Sequence, residues 1–227
     1  MKAIVLSSGG VDSTTCVAWA IEQYGRENVS TVSIYYGQKH KKELECAAKV
    51  ASYYGLAHYD FDLQQIMRYS NCPLLASSTE AIEHKSYEEQ IRENGEGMVA
   101  TYVPFRNGLM LSVVASLATS ISTEPTQICI GAHADDAAGN AYADCSEEFI
   151  AAMDKAINIG TYDKLHVVAP FAGSNKAEVV RQGLALKVPY ELTWSCYEGG
   201  EKPCGTCATC IDRARAFAAN GIKDPAL

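Results

Sequence analysis

Short apolar runs alternate along the chain with longer stretches in which apolar residues recur every three or four positions. The first run, residues 2–6 (KAIVL), ends in Ser7-Ser8-Gly9-Gly10 and reads as a buried strand entering a glycine turn. Over 13–24 the residues Cys16, Val17, Ala20 and Ile21 keep helical spacing, and Gly25 suits a C-terminal cap. The same reading predicts strands over 29–36 and 57–63, with a helix over 41–54 closed by Gly55 between them. Further on it predicts helices over 109–121, 147–159 and 176–186 and strands over 127–131 and 165–168. Strands alternating with helices imply an α/β fold: a doubly wound, mostly parallel sheet with right-handed crossovers and helices on both faces. Ligands of such folds bind outside the carboxyl ends of the strands.

Two segments break the alternation. Residues 64–103 are polar, carry Cys72-Pro73 and the turn Asn94-Gly95-Glu96-Gly97, and look helical only near Tyr87 to Glu93, so they read as an insertion over the site. After Val188-Pro189 the composition shifts to Cys, Gly and Pro. The expected organisation is an α/β domain over 1–189 with an insertion at about 64–103, and a small module over 190–227 packed on it.

Composition narrows the function classes. Of 227 residues, 48% are hydrophobic and 20% charged, which fits a globule and excludes a disordered or fibrous chain. No apolar run approaches the ~18 residues of a membrane span, and the start MKAIVLSSGG is too short in apolar residues for a signal peptide, so a cytoplasmic protein without a membrane partner is expected. With 19 basic against 27 acidic residues the net charge is −8, which opposes nonspecific binding to nucleic acid. Nine cysteines cannot all pair within one chain, and a cytosolic chain keeps its thiols reduced.

Three short segments carry candidate chemistry. Ser8-Gly9-Gly10-Val11-Asp12-Ser13-Thr14 joins the first strand to the first helix, so backbone amides and the helix dipole converge on a point suited to phosphate. An ordinary turn capped by Asp12 or Ser13 is the plainer alternative. In Tyr36-Gly37-Gln38-Lys39-His40-Lys41-Lys42 three lysines oppose the dipole of the following helix at about 0.3–1 kcal/mol each, which points either to a nearby anion or to a solvated face. Arg106 and Asn107, in Val103-Pro104-Phe105-Arg106-Asn107-Gly108, offer a planar fork for phosphate or carboxylate and a polar amide.

Cys196, Cys204, Cys207 and Cys210 form C-x7-C-x2-C-x2-C, a set that suits a closed, structural tetrahedral Zn2+. An iron–sulfur cluster and free thiols are the alternatives. Lys202 is the only cation between these cysteines while Glu198 and Glu201 are acidic, so the module is expected to tie the C-terminal segment to the core rather than bind nucleic acid. Cys16, Cys46, Cys72, Cys129 and Cys145 lack partner spacing and read as core or incidental thiols.

SGGVDS after an N-terminal strand resembles the PP-loop of the N-type ATP pyrophosphatases, whose folds are adenine nucleotide alpha hydrolase-like. That resemblance implies a loop that cradles the pyrophosphate of ATP while the α-phosphate is attacked. It extends the nucleotide stretch over Ser7, Ser8, Gly9, Gly10, Val11, Asp12, Ser13, Thr14, Thr15, Cys16 and Val17. Further motifs are Tyr35-Tyr36-Gly37-Gln38, Val103-Pro104, Arg106-Asn107, Gly131 with Asp136, Asp144-Cys145, Pro170-Phe171 with Lys176, Trp194-Ser195-Cys196-Tyr197, the remaining cysteines and Asp212-Arg213. With these, essentially the whole chain resembles the 7-cyano-7-deazaguanine (preQ0) synthase family of queuosine biosynthesis. The segment 131–146 departs from the family pattern, being two residues longer and ending in Ser146 where Arg is usual, and Phe105 replaces a smaller residue.

The resemblance implies an ATP-dependent ligase that joins 7-carboxy-7-deazaguanine and ammonia and delivers a nitrile through an adenylated acid and an amide. It implies catalytic roles for Asp12, Lys39 and Arg106, and substrate contacts from Gln38, Asn107, Asp136 and Asp144. It implies one structural Zn2+ per chain, ATP with Mg2+, ammonia taken from solution and a homodimer. Two other readings stand beside it: a PP-loop tRNA thiolase or adenylating modifier, and a non-catalytic zinc-ribbon protein that binds a nucleotide.

Overall fold

A computed structural model describes residues 1–95 and 97–226; Glu96, in the turn expected at 94–97, and Leu227 lie outside them. The first half of the fold is β1 (Lys2–Leu6), α1 (Val11–Tyr24), β2 (Val29–Tyr35), α2 (Lys42–Tyr54) and β3 (Ala57–Asp62). The insertion contributes α3 (Gln64–Met67) and α4 (Tyr87–Asn94). Then follow α5 (Arg106–Ile121), β4 (Thr126–Cys129), α6 (Ala134–Ala137), α7 (Glu147–Gly160), β5 (Leu165–Val168), α8 (Lys176–Ala185) and α9 (Ala208–Ala219).

The five strands form one sheet in the order β3-β2-β1-β4-β5, and every pairing is parallel. β1 lies at the centre, with Val5 opposite Thr31 on one side and Cys129 on the other. Its side chains alternate between two buried faces, which explains why it reads as an unbroken apolar run. Ile4 and Leu6 join Val32, Ile128 and Leu165 under Leu111 and Val114 of α5 and Ile150 and Ile157 of α7. Ala3 and Val5 join Val29 and Cys129 under Val17 of α1, Val50 of α2 and Val179 of α8.

The chain adds β2 and β3 on one side of β1 and then returns to add β4 and β5 on the other, so strand order reverses between β1 and β4. The connections leaving these two strands diverge there and open a crevice at the carboxyl edge. Gly131, just past β4, lets the walls approach: a Cβ on it would stand 2.9 Å from the backbone carbonyl of Asp12.

The expected strands and longer helices start and stop within a few residues of the observed ones; the short helices α3 and α6 are additions to the expectation, and two further departures are larger. α5 begins at Arg106 rather than Leu109, because Phe105 takes a left-handed backbone (φ 52°) and the helix starts immediately after it. The sequence reading assigned no helix to the last module, yet α9 follows directly on Cys207. Its buried face is Ala208, Thr209, Cys210, Arg213, Ala216 and Phe217, a helical spacing disguised by an arginine in the apolar stripe. Arg213 is buried there because Asp224 takes it in a two-pronged ion pair, at 2.6 and 2.9 Å.

The insertion and the cysteine module share one core. Tyr36, Met67, Leu74, Leu75, Ile82 and Val103 pack with Cys196, Cys207 and Cys210. His84 bridges the same two segments, reaching Thr206 Oγ1 at 2.6 Å and Glu198 Oε1 at 2.9 Å. Among the described residues no helix is long and apolar enough to cross a membrane.

Candidate active site

A cleft with about 1200 Å3 of atom-free space, its open mouth included, lies at the crevice between β1 and β4. The glycine loop after β1 forms its floor. Gly9 has φ +82°, and a Cβ there would come within 2.2 Å of Glu43 O and 2.6 Å of Ala47 N, so only glycine lets the loop lie on α2. Ser8 and Ser13 tie the loop together: Ser8 N donates to Ser13 Oγ at 3.2 Å and Gly10 N to Ser8 Oγ at 3.3 Å. Gly10 caps α1 with no side chain, leaving the positive end of the helix dipole open to the cleft. Two buried polar atoms of the cleft lining, Ser7 Oγ and Asp12 Oδ1, have no hydrogen-bond partner among the described residues, the mark of a site shaped for a ligand.

Of the expected nucleotide stretch, Ser7, Ser8, Gly10, Asp12 and Ser13 line the cleft. Gly9, Val11, Thr14, Thr15, Cys16 and Val17 stand behind it. Thr15 Oγ1 donates to Val11 O and shares a hydrogen bond with Tyr190 OH, both at 2.8 Å, while Cys16 and Val17 are wholly buried in the sheet core. Helical periodicity explains the split: once α1 packs on the sheet, one face of its first turns must turn inward.

Four ionisable groups from three segments meet beside the loop. Lys176 Nζ, at the start of α8, donates to Asp12 Oδ2 at 3.0 Å. His133 Nε2 lies 3.6 Å from the same oxygen, 3.5 Å from Asp136 Oδ1 and 3.5 Å from Lys176 Nζ. Burial pushes the Asp12 carboxyl up, but Lys176 and His133 overcome it and hold the group well below the usual carboxylate range. Burial likewise lowers His133 and Lys176, and their acidic neighbours more than restore both, His133 chiefly through Asp136 and Lys176 chiefly through Asp12. The result is a carboxylate that stays ionised beside the Lys176 ammonium at the cleft wall, with His133 buried behind the pair.

The opposite wall carries Arg106 and Asn107 at the start of α5. Arg106 stacks its guanidinium 5.4 Å from the Tyr36 ring centre and donates weakly to Tyr36 OH at 3.4 Å. Asn107 N donates to Asp144 Oδ2 at 2.9 Å, and Asn107 Nδ2 to Asp144 O at 3.1 Å. Asp144, only 4% exposed, therefore caps α5, the duty that Phe105 cannot perform, and it is not part of the cleft lining. Gln38 and Asp136 do line the cleft, and Gln38 Oε1 accepts from Tyr36 N at 2.9 Å. Lys39 does not: it is exposed, with Nζ donating to the Glu80 carbonyl at 3.2 Å.

Glu43, absent from the sequence-derived site, lines the cleft. Burial pushes its carboxyl up to about 7, against the pull of Arg106. It lies four and seven residues before Ala47 and Val50 on the buried side of α2, so a carboxylate on an apolar stripe was the available signal. Tyr87, which lines the cleft, and His133, buried behind Asp12, are not legible either, because what places them is tertiary: the insertion and the loop after β4.

In the C-terminal module the four cysteine sulfurs lie within 4.8 Å of one another, Cys204 Sγ standing 4.0 Å from Cys210 Sγ. Sulfurs at ~2.3 Å from a tetrahedral ion would sit about 3.8 Å apart, so the set fits a metal such as zinc. Cys204 N donates to Cys196 Sγ at 3.2 Å and Cys207 N to Cys204 Sγ at 3.3 Å, the backbone bonds that orient thiolate ligands.

Comparison with known proteins agrees with this geometry. The profile described as "Queuosine biosynthesis protein QueC" matches residues 2–221. The chain is 40% identical to the 7-cyano-7-deazaguanine synthase of Archaeoglobus fulgidus, over 100% of this chain and 90% of that protein. It is 41% identical to the synthase of the same name from Thermoplasma acidophilum, over 99% and 90% respectively. Among solved structures, the U34-tRNA thiolase NcsA from Methanococcus maripaludis, determined with its [4Fe-4S] cluster, shares the fold with a TM-score of 0.50 at 14% identity. That likeness covers 97% of this chain and 67% of the thiolase. With a cleft built on a PP-loop, a four-cysteine module and full-length relatives above 30% identity, the chain belongs to the QueC family of queuosine biosynthesis proteins.

Proposed function

We propose that the protein converts 7-carboxy-7-deazaguanine and ammonia to 7-cyano-7-deazaguanine at the expense of ATP. The observation that carries this reading is one cleft with an open PP-loop, Asp12 and Lys176 on one side and Arg106 and Asn107 on the other. Such a cleft holds a polyphosphate at one end and a carboxylate at the other, with the α-phosphate between.

A carboxylate is inert to ammonia until its oxygen is esterified. Attack of that oxygen on the α-phosphate releases pyrophosphate into the loop, where the amides of α1 and the Lys176 ammonium stabilise the leaving charge. Ammonia then adds to the activated carbonyl, expels AMP and loses a proton, leaving the amide. The amide oxygen attacks a second ATP in the same way, and loss of AMP and a proton leaves the nitrile. Arg106 steadies the negative charge of the acid in the first half, and Gln38, Asn107 and Asp136 orient the base. Asp144 acts on Asn107 by holding the start of α5. Lys39 takes no part in this scheme, since its ammonium is committed to Glu80 and Lys176 occupies the position the resemblance gave it.

Mg2+, when bound, would offset polyphosphate charge, and the unpartnered Asp12 Oδ1 would supply a hard oxygen donor of the kind it prefers. The four cysteines hold one structural Zn2+ and take no chemical part. The family resemblance supports a cytoplasmic homodimer fed by free ammonia.

The test is mass spectrometry of a reaction holding protein, Mg-ATP, ammonium and the acid. The nitrile with AMP is expected, and intact acid and ATP from folded, zinc-replete protein would reject the assignment.

A further inference from the structure

Four hydroxyls from separate parts of the chain form a hydrogen-bonded series that ends in the cleft wall. Thr101 Oγ1 lies 2.6 Å from Tyr142 OH, Tyr142 OH donates to Tyr87 OH at 3.2 Å, and Tyr87 OH lies 2.6 Å from Tyr197 OH. Thr101 and Tyr142 are buried and stand outside the cleft lining, whereas Tyr87 and Tyr197 are part of it, together with Arg106. Tyr87 belongs to the insertion, Tyr142 to the loop after β4 and Tyr197 to the cysteine module, so three segments converge on one point.

Each hydroxyl carries a single hydrogen. Tyr142 spends its own on Tyr87, so Thr101 is the donor to Tyr142. Head-to-tail order, in which each oxygen accepts once and donates once, is the order in which neighbours polarise one another, and it makes Tyr87 the donor to Tyr197. The series then runs Thr101 to Tyr142 to Tyr87 to Tyr197, and the Tyr197 hydrogen has no acceptor among the described residues. Tyr197 lines the cleft together with Arg106.

A neutral donor beside a guanidinium recognises an oxygen acceptor, and a carboxylate satisfies both at once. Resting on the synthase reading above, we infer that Tyr197, aligned by Tyr87 and Tyr142, donates its hydroxyl hydrogen to the carboxyl oxygen of the acid and then to the amide oxygen that succeeds it. Because the donor is uncharged, the same contact serves the anionic acid and the neutral amide, which a second cation would not. Tyr142 is a positioning residue: it acts through Tyr87 without reaching the ligand.

The test uses full-length, metal-loaded protein and its Tyr197→Phe, Tyr142→Phe and Tyr87→Phe variants. Affinity for 7-carboxy-7-deazaguanine is read by calorimetry, KM for ATP by pyrophosphate release, and metal content in parallel. Losing a hydrogen bond to a charged group predicts acid binding weakened roughly tenfold or more in Tyr197→Phe, with a smaller loss in the same direction in Tyr142→Phe. Tyr87→Phe should bind acid more tightly than Tyr197→Phe, since it keeps the terminal donor. ATP KM and metal content should stay within about twofold in all three. Should Tyr197→Phe lose its metal, the Tyr142→Phe result decides. Unchanged acid affinity in both, or acid and ATP weakened in parallel as a loosened latch would produce, overturns the inference. A wild-type protein that binds ATP but not the acid fails instead at the synthase reading and removes the ligand named here.

Discussion

At the scale of single residues, the site is organised by charges that satisfy one another and leave a deliberate remainder. Lys176 pairs with Asp12, but Asp12 keeps one oxygen unpartnered and the Lys176 ammonium lines the cleft beside the loop that would hold polyphosphate. Lys176→Met should therefore lower turnover by a hundredfold or so, in line with losing a preorganised charge at the leaving group. Lys39→Met should cost far less, and steady-state pyrophosphate release compares the two. Equal losses would return the role to Lys39.

Glu43 gives a pH signature. Its carboxyl stands at 4.5 in the unfolded chain and is raised to about 7 by burial in the fold. Between those values the folded state holds a proton that the unfolded state has released, so Glu43 makes stability fall as pH rises through the window, with no further change above it. Glu43→Gln removes that slope. Its melting temperature, measured by circular dichroism, should gain on the wild type steadily from pH 5 to 7.5. A gap that stays constant would show that Glu43 is not buried as described. Residue types and spacing made the loop, Arg106 and the cysteines legible in the sequence. Glu43 and His133 were not, because their surroundings come from segments distant in the chain.

At the scale of elements, the legibility of the fold follows from burial. β1 and β2 are buried on both faces and announce themselves as apolar runs, while α1 and α2 end at Gly25 and Gly55, the caps their spacing suggested. α9 was missed for a physical reason: its stripe contains Arg213, acceptable only because Asp224 folds back onto it. Asp144, a carboxylate that the family motif suggests for the ligand, accepts the amide hydrogen of Asn107 in the fold, a duty its sequence position does not reveal. The close approach of β4 to α1 is the weak point of the site. Gly131→Ala places a methyl 2.9 Å from the Asp12 carbonyl and must part the two walls. Overpacking of this kind costs roughly 1–3 kcal/mol, to be read from urea denaturation, and should raise KM for ATP at the same time. A change in stability with ATP KM untouched would mean that this contact does not shape the loop.

At the scale of the whole molecule, the cysteine module both braces the site and forms part of its wall. It shares a core with the insertion, contributes Tyr197 to the cleft, and is braced internally by the buried Arg213–Asp224 pair between α9 and the C-terminal segment. Asp224→Asn leaves the Arg213 charge buried and half-satisfied, and a broken buried pair costs about 3–5 kcal/mol. The expected result is a much lower urea midpoint with the zinc retained; an unchanged midpoint would show that the pair contributes nothing.

The central claim is that one cleft activates the same carbon twice by adenylation. Supplying 7-carboxy-7-deazaguanine with both carboxyl oxygens as 18O tests it directly, because each activation carries one substrate oxygen into AMP. The account predicts two AMP per nitrile, each with one 18O on its phosphate. Unlabelled AMP, or ADP with 18O in inorganic phosphate, would contradict it.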